Sequence, residues 1–164
     1  MRSTIDRRPS DIRETEELLN RLSGAEAIFF GLDVGRVRDH SALSALVRYV
    51  FPIDNQMNTL VSKYYCVHLH RYPLQTPYEA IEDDAQRWWT WADIMGMHKY
   101  FVMDMTGVGA PVWEGIKRRR VRTIGVTLTA GNQESNPGFD LYNVPKAALT
   151  TQLVRTAQMG RFKG

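Results

Sequence analysis

The sequence predicts a mixed α/β domain whose five-stranded sheet, three antiparallel strands extended by two parallel ones, is flanked by helices. Three observations lead there. After residue 26, three strand-like runs follow one another with short connections, which makes them antiparallel neighbours. From residue 76 onward strands alternate with helices, and such crossovers are right-handed and produce parallel strands. The chain has 164 residues, 43% hydrophobic and 24% charged, which suits a single core of ordinary size.

The elements follow in order. Residues 1–10 are polar and rich in arginine, and Asp11 with Glu14 three residues on resembles a capping box. It opens a helix through Leu18, Leu19 and Leu22 that Gly24 stops. Residues 1–25 are read as an N-terminal arm or linker helix and residues 26–164 as the domain. The helix's narrow apolar stripe requires a partner surface, either the domain itself or a preceding one. Strands are predicted at Ala27–Asp33, Ser41–Val50 and Thr59–His70, with the loop Pro52–Asn58 between the second and third.

Thr76 as N-cap, Pro77 at the first helical position and Glu79 reaching back predict a helix that runs to Met95 and stops at Gly96. Ile81, Ala85, Trp88, Trp89 and Ala92 recur at helical spacing on one face, which reads as core rather than as a platform for stacking bases. A strand at Lys99–Asp104, a helix at Ala110–Arg119, a strand at Val121–Leu128 and a helix from Pro145 to Met159 complete the order. Thr129–Asn143, rich in Gly, Asn, Ser and Pro, is the one long loop.

Composition narrows the function classes. No apolar stretch approaches the roughly 20 residues of a membrane-crossing helix, and the N-terminus has no apolar signal core. The single Cys66 allows no internal disulfide and no zinc site of several cysteines, which points to a reducing intracellular setting. With 21 Lys and Arg against 18 Asp and Glu, the net charge is only +3, so any case for nucleic acid rests on local charge.

Two segments carry the chemistry. In Phe29-Phe30-Gly31-Leu32-Asp33-Val34-Gly35-Arg36-Val37-Arg38-Asp39 an apolar strand runs into a carboxylate and then a Gly/Arg turn. In Tyr100-Phe101-Val102-Met103-Asp104-Met105-Thr106-Gly107-Val108-Gly109 a second strand does the same. Either aspartate can serve simply to cap its turn. If the two strands are parallel neighbours, both carboxylates emerge at one edge, and the repulsion requires a cation between them or a proton on one. Oxygen-only ligands select a hard ion such as Mg²⁺ or Mn²⁺. The glycines read either as a tight turn or as a phosphate cradle, but the Gly-Lys-Ser/Thr ending of a P-loop is missing.

Lys117, Arg118, Arg119, Arg120 and Arg122 either neutralise a helix end or contact phosphates. His68 and His70 share one strand face, and without a third ligand nearby in sequence they read as packing residues.

Asp33-Val34-Gly35-Arg36 with Asp39, the Asp104-Met105-Thr106-Gly107-Val108-Gly109-Ala110-Pro111 turn, the exit Val126-Thr127-Leu128-Thr129-Ala130-Gly131, and Asn143-Val144-Pro145-Lys146 leading to Leu149 and Gly160-Arg161-Phe162 together resemble the C-terminal nuclease domain of the phage terminase large subunit. The resemblance covers about residues 27–164. It implies an RNase H-like fold and a metal-dependent endonuclease that cuts double-stranded viral DNA during genome packaging, with a two-metal site of Mg²⁺ or Mn²⁺. By resemblance Asp33 and Asp104 are catalytic metal ligands and Asp39 an accessory one. Arg36, Arg38, Lys146, Arg118 and Arg119 are the candidate DNA contacts. The implied partners are double-stranded DNA, the terminase ATPase domain, the small terminase and the portal, with no membrane. The implied location is the cytoplasm of a bacterial host, with a phage or prophage gene as source. The family's third acid lies beyond the helix that begins here at Pro145, so the domain is expected to be truncated at its C-terminus. Two alternatives are a catalytically incomplete DNA-binding or motor-docking module and an actin-like ATP-binding domain, which shares the Asp-Gly strand ending.

Overall fold

In β1 (Ala27–Asp33) Ile28, Phe30 and Leu32 are buried while Phe29, Gly31 and Asp33 are not, so the period of a strand assigns one face of the sheet to the core. The computed structural model describes residues 22–36, 38–52 and 60–163. Chain order continues with β2 (Ala42–Pro52), β3 (Leu60–Arg71), α1 (Tyr78–Ile94), β4 (His98–Asp104), α2 (Gly109–Arg118), β5 (Thr123–Thr129), β6 (Ser135–Gly138), β7 (Leu141–Pro145), α3 (Lys146–Gln158) and β8 (Phe162–Lys163). The strands form one sheet in the order β6-β7-β5-β4-β1-β2-β3-β8. β1, β2 and β3 are antiparallel neighbours, and β4, β5 and β7 extend the sheet from β1 as parallel strands.

The mixed topology expected from the sequence is present, in a wider sheet of eight strands rather than five. The excess lies where a loop was expected: within Thr129–Asn143 and just after it, β6 and β7 form a hairpin, with Asp140 in the left-handed region (φ 58°) and Asn143 Nδ2 donating to Ser135 Oγ at 3.0 Å. The short edge strand β6 and its neighbour β7 are held by backbone pairing, so they carry little of the apolar alternation by which strands are recognised. The two-residue β8 pairs with β3 and was equally invisible.

Over the buried face lie α1 and α2. Ile81, Ala85, Trp88 and Ala92 of α1 and Val112, Trp113 and Ile116 of α2 close the core against Ile28, Phe30, Leu43, Val47, Phe101 and Met103. Each large side chain fully removed from water there contributes about 1.5–3 kcal/mol. The Phe30 ring sits 5.7 Å from Phe101 and 6.0 Å from Trp88, and Trp113 Nε1 donates to the Thr123 carbonyl at 3.2 Å. Most of the arm helix expected from Asp11 lies outside the described residues, as does the loop expected at Pro52–Asn58 except for Pro52, which ends β2. Leu22, at the end of that arm, is buried in the domain core, and Gly24 turns with φ 79°.

The expected N-cap of α1 does not form. The Thr76 hydroxyl donates backward to the Pro73 carbonyl at 2.8 Å, Gln75 takes a left-handed conformation (φ 64°), and Pro77 becomes the cap residue without a side-chain hydrogen bond.

Arg119 ties the helices together. Glu82 of α1 is buried beneath Gly115 of α2, and the Arg119 guanidinium donates to its carboxylate, to Asp83 at 2.7 Å and to the Gly115 carbonyl at 3.2 Å. Removing one partner of such a pair strands a charge away from water. Arg119→Ala is expected to destabilise the fold by about 2–3 kcal/mol, below the full cost of breaking a buried pair because the guanidinium keeps some solvent. Denaturant unfolding measures it, and a change under 0.5 kcal/mol would deny the clamp.

Candidate active site

β1 and β4 are parallel neighbours in register, Ala27 opposite His98 through Leu32 opposite Met103, so Asp33 and Asp104 leave the sheet side by side at one edge. Leu32 and Met103 belong to the helix-covered core, and alternation therefore places both aspartates on the opposite face. Partial burial at the strand end, then the Asp104 carboxylate, then that of Asp39, push Asp33 above the usual carboxylate range.

The two turns after these strands are built by glycine. At Gly109 a Cβ would fall on the Asp104 carbonyl oxygen, and at Gly35 one would fall on the Asp39 carbonyl oxygen. Gly107 turns with φ 74°. Asp104 Oδ1 accepts from the Thr106 backbone N–H at 2.8 Å, so this aspartate does cap its own turn and is oriented by it. Met105 N donates to the Val126 carbonyl at 2.7 Å, and Leu128 N to Thr106 Oγ1 at 3.3 Å, anchoring the turn to β5. The first turn is fastened likewise: Gly35 N donates to Ser41 Oγ at 3.0 Å, Asp39 N to the Arg36 carbonyl at 2.8 Å, and His40 Nδ1 to the Tyr72 carbonyl at 2.7 Å.

Arg36 joins the two turns. A Cβ on Gly107 would lie 3.1 Å from a guanidinium nitrogen of Arg36, which places this cation against the turn that follows Asp104. Arg38 is exposed in the β1–β2 turn. Lys146 opens α3 directly after β7, whose C-terminal end lies at the same sheet edge as the acids. Arg118 and Arg119 end α2 just before β5 begins, at the opposite edge. The structure thus brings Arg36, Arg38 and Lys146 to the acid edge and separates Arg118 and Arg119 from it, with Arg119 engaged by Glu82 and Asp83.

Among the described residues no group of three or more His, Cys, Asp or Glu side chains is arranged to hold a metal ion. Asp39, whose charge acts on Asp33 after that of Asp104, also lines a cavity of about 230 Å³ beside the acid edge, together with Gly35, Arg36, Ser41 and the Pro73–Tyr78 loop. The convergence of the Pro73–Tyr78 loop on the β1–β2 turn escaped the sequence reading, since its only local mark is a pair of prolines. His68 and His70 are packing residues: their rings lie 6.2 Å apart, with His68 4.6 Å from Trp88 and His70 4.4 Å from Tyr72. Burial, then His70, lower the His68 pKa.

Among the described residues no helix is long and apolar enough to cross a membrane. No protein-family profile matches the chain, and no curated protein matches its sequence. Its structure is similar to that of the human cytomegalovirus terminase nuclease domain, in a Mn-soaked, inhibitor-bound form, with a TM-score of 0.54 and 11% identity over 93% of this chain and 74% of that one. The chain shares the fold of that domain, and its mixed α/β sheet flanked by helices is consistent with an RNase H-like architecture.

Proposed function

We propose that this chain is a terminase-type nuclease domain that hydrolyses phosphodiester bonds of double-stranded DNA with Mg²⁺ or Mn²⁺ during viral genome packaging. The observation that carries the reading is the pairing of Asp33 and Asp104 at the ends of adjacent parallel strands, where each turn is shaped by glycines that bring no side chain of their own. The likeness to a terminase nuclease domain supports the same reading. The donor set fits the ion: two carboxylates on one edge, with Asp33 raised above its ordinary pKa by burial and then by the charge of Asp104, favour a hard divalent cation that offsets their repulsion.

Asp33 and Asp104 would hold the metal, which when bound supplies an activated water and neutralises charge on the phosphate. The protein's own groups do the positioning. Thr106 N fixes the Asp104 carboxylate, and Arg36 offers a guanidinium to the phosphate next to the acids. Arg38 and Lys146 hold the backbone of the duplex on the same edge, contacts that carry no sequence information. In the packaging reading the gene is a phage's or prophage's, the reaction takes place in the bacterial cytoplasm, and the partners are the terminase ATPase domain, the small terminase and the portal.

The purified chain is expected to convert supercoiled plasmid to open and linear forms in Mn²⁺ and to leave it intact in EDTA. One observation favours a second reading, a DNA-binding or docking module without catalysis. No third metal-ligating side chain joins Asp33 and Asp104 among the described residues. Duplex binding with no Mn²⁺-dependent cutting would select that module and exclude the nuclease.

A further inference from the structure

Away from the acid edge, the buried face of the sheet has a stretch that neither α1 nor α2 closes. Val47, Tyr49 and Phe51 alternate along β2, and the register sets Val47 opposite Tyr65 and Tyr49 opposite Lys63 of β3, with Lys163 of β8 beside Tyr65. Val47, Tyr49, Phe51 and Tyr65 give a cavity of about 530 Å³ an apolar, aromatic wall, and Ser23, Cys66 and Lys163 also line it. Among the described residues none of α1 or α2 does. Tyr49 and Tyr65 meet edge to face with ring centres 5.4 Å apart, while Phe51 stacks 6.2 Å from Tyr49 and keeps 43% of its surface exposed. Contiguous apolar surface of this kind marks an interaction site. The N-terminal arm leads straight to it. Ser23 follows Leu22, which is helical and buried in the core. The junction is fixed, because Ala25 N donates to the Leu22 carbonyl at 2.9 Å and Glu26 N to the Arg48 carbonyl at 2.8 Å, one residue from Tyr49.

We propose that this cavity receives Leu18 and Leu19 of the chain's own arm, so that residues 11–22 form a third helix over the buried face rather than a tether to a preceding domain. With Leu22 facing the core, helical spacing puts Leu18 and Leu19, and behind them Thr15 and Ile12, on the same side. Only a few residues separate these leucines from Ser23 in the cavity lining, so the arm reaches the cavity without a linker. Charge agrees with this placement. The arm carries Asp11, Glu14, Glu16 and Glu17 against Arg13 and Arg21, while the face it would cover carries Lys63 and Lys163. Lys63 Nζ already lies over the Phe51 ring, 5.5 Å from its centre. The inference is independent of the acid edge, since the cavity adjoins the Pro52 end of β2 and Asp33 pairs with Ala42 at the other end.

The test is nuclear Overhauser spectroscopy on the full chain with labelled leucine methyls. The proposal expects contacts from the Leu18 and Leu19 methyls to the rings of Tyr49, Phe51 and Tyr65 within one chain. Cys66, the single cysteine and part of the lining, gives a second reading. In Leu18→Asp/Leu19→Asp its alkylation should quicken at least about tenfold, the factor by which losing one buried leucine favours local opening, with the amide resonances of β1 and β4 unmoved. Phe51→Glu, a change at a half-exposed position, should quicken it too by repelling the acidic arm. Leucine methyls without contact to these rings, or Cys66 alkylated at the parent's rate in both variants, would overturn the proposal. So would contacts found only between labelled and unlabelled chains, which would give the cavity to a second copy.

Discussion

Asp33→Asn is expected to lower Mn²⁺-dependent cutting of duplex DNA by at least about a hundredfold with the fold intact, because loss of a mere supporting partner of a metal ligand already costs about 10–100-fold. The side chain is nearly isosteric, and the substitution removes a charge that Asp104 and Asp39 oppose. The sign of its pH dependence follows from the raised pKa. A carboxylate that holds its proton more firmly in the folded chain than in the unfolded one favours folding most in acid, below its unfolded pKa, and that contribution disappears as pH rises through the folded value. In EDTA the parent's Tm relative to Asp33→Asn should therefore be highest in acid and fall as the pH passes the carboxylate range. At pH 7 the variant should be as stable as the parent or more so. Mn²⁺ should reverse this by raising the parent's Tm more than the variant's, since the folded parent binds it more tightly. A variant that cuts at the parent's rate, or a parent that gains stability with rising pH relative to the variant, would contradict the assignment.

Gly109→Ala should be the most damaging substitution for the site that touches no charge. The new methyl falls on the Asp104 carbonyl oxygen, a backbone atom that cannot swing aside as a side chain can. Relief requires the β4–α2 turn to move, at about 3 kcal/mol, the upper part of the usual range for forced overpacking. That movement carries Asp104 away from Asp33. Thermal unfolding and plasmid cutting should both fall, whereas Gly131→Ala, whose Cβ meets only Thr129 Oγ1 at 4.0 Å, should change neither.

The parts of this site legible in the sequence were those that depend on neighbours along the chain. A run of apolar residues ending in Asp and then Gly identifies a strand, its exit and its turn, and two such runs point to one edge once the crossover rule makes β1 and β4 parallel. The helical spacing of Ile81, Ala85, Trp88 and Ala92 located the core face of α1 for the same reason. What stayed hidden depends on contacts far apart in sequence. Arg119 read equally as a phosphate contact or a solvated helix end, because only the fold brings it 37 residues back to Glu82. Asp39 resembles an accessory acid of the family, and that it also lines the cavity beside the acid edge depends on the distant Pro73–Tyr78 loop. The β6–β7 hairpin read as loop because its backbone, not its side chains, makes the pairing.

The central claim is that Asp33 and Asp104 form one cation site, and Mn²⁺ titration followed by electron paramagnetic resonance tests it without requiring turnover. The account predicts saturable binding by the parent, weakened at least about tenfold in Asp33→Asn and in Asp104→Asn alike, since each variant halves the charge of the pair. Parent binding no tighter than that of the double variant Asp33→Asn/Asp104→Asn would contradict it.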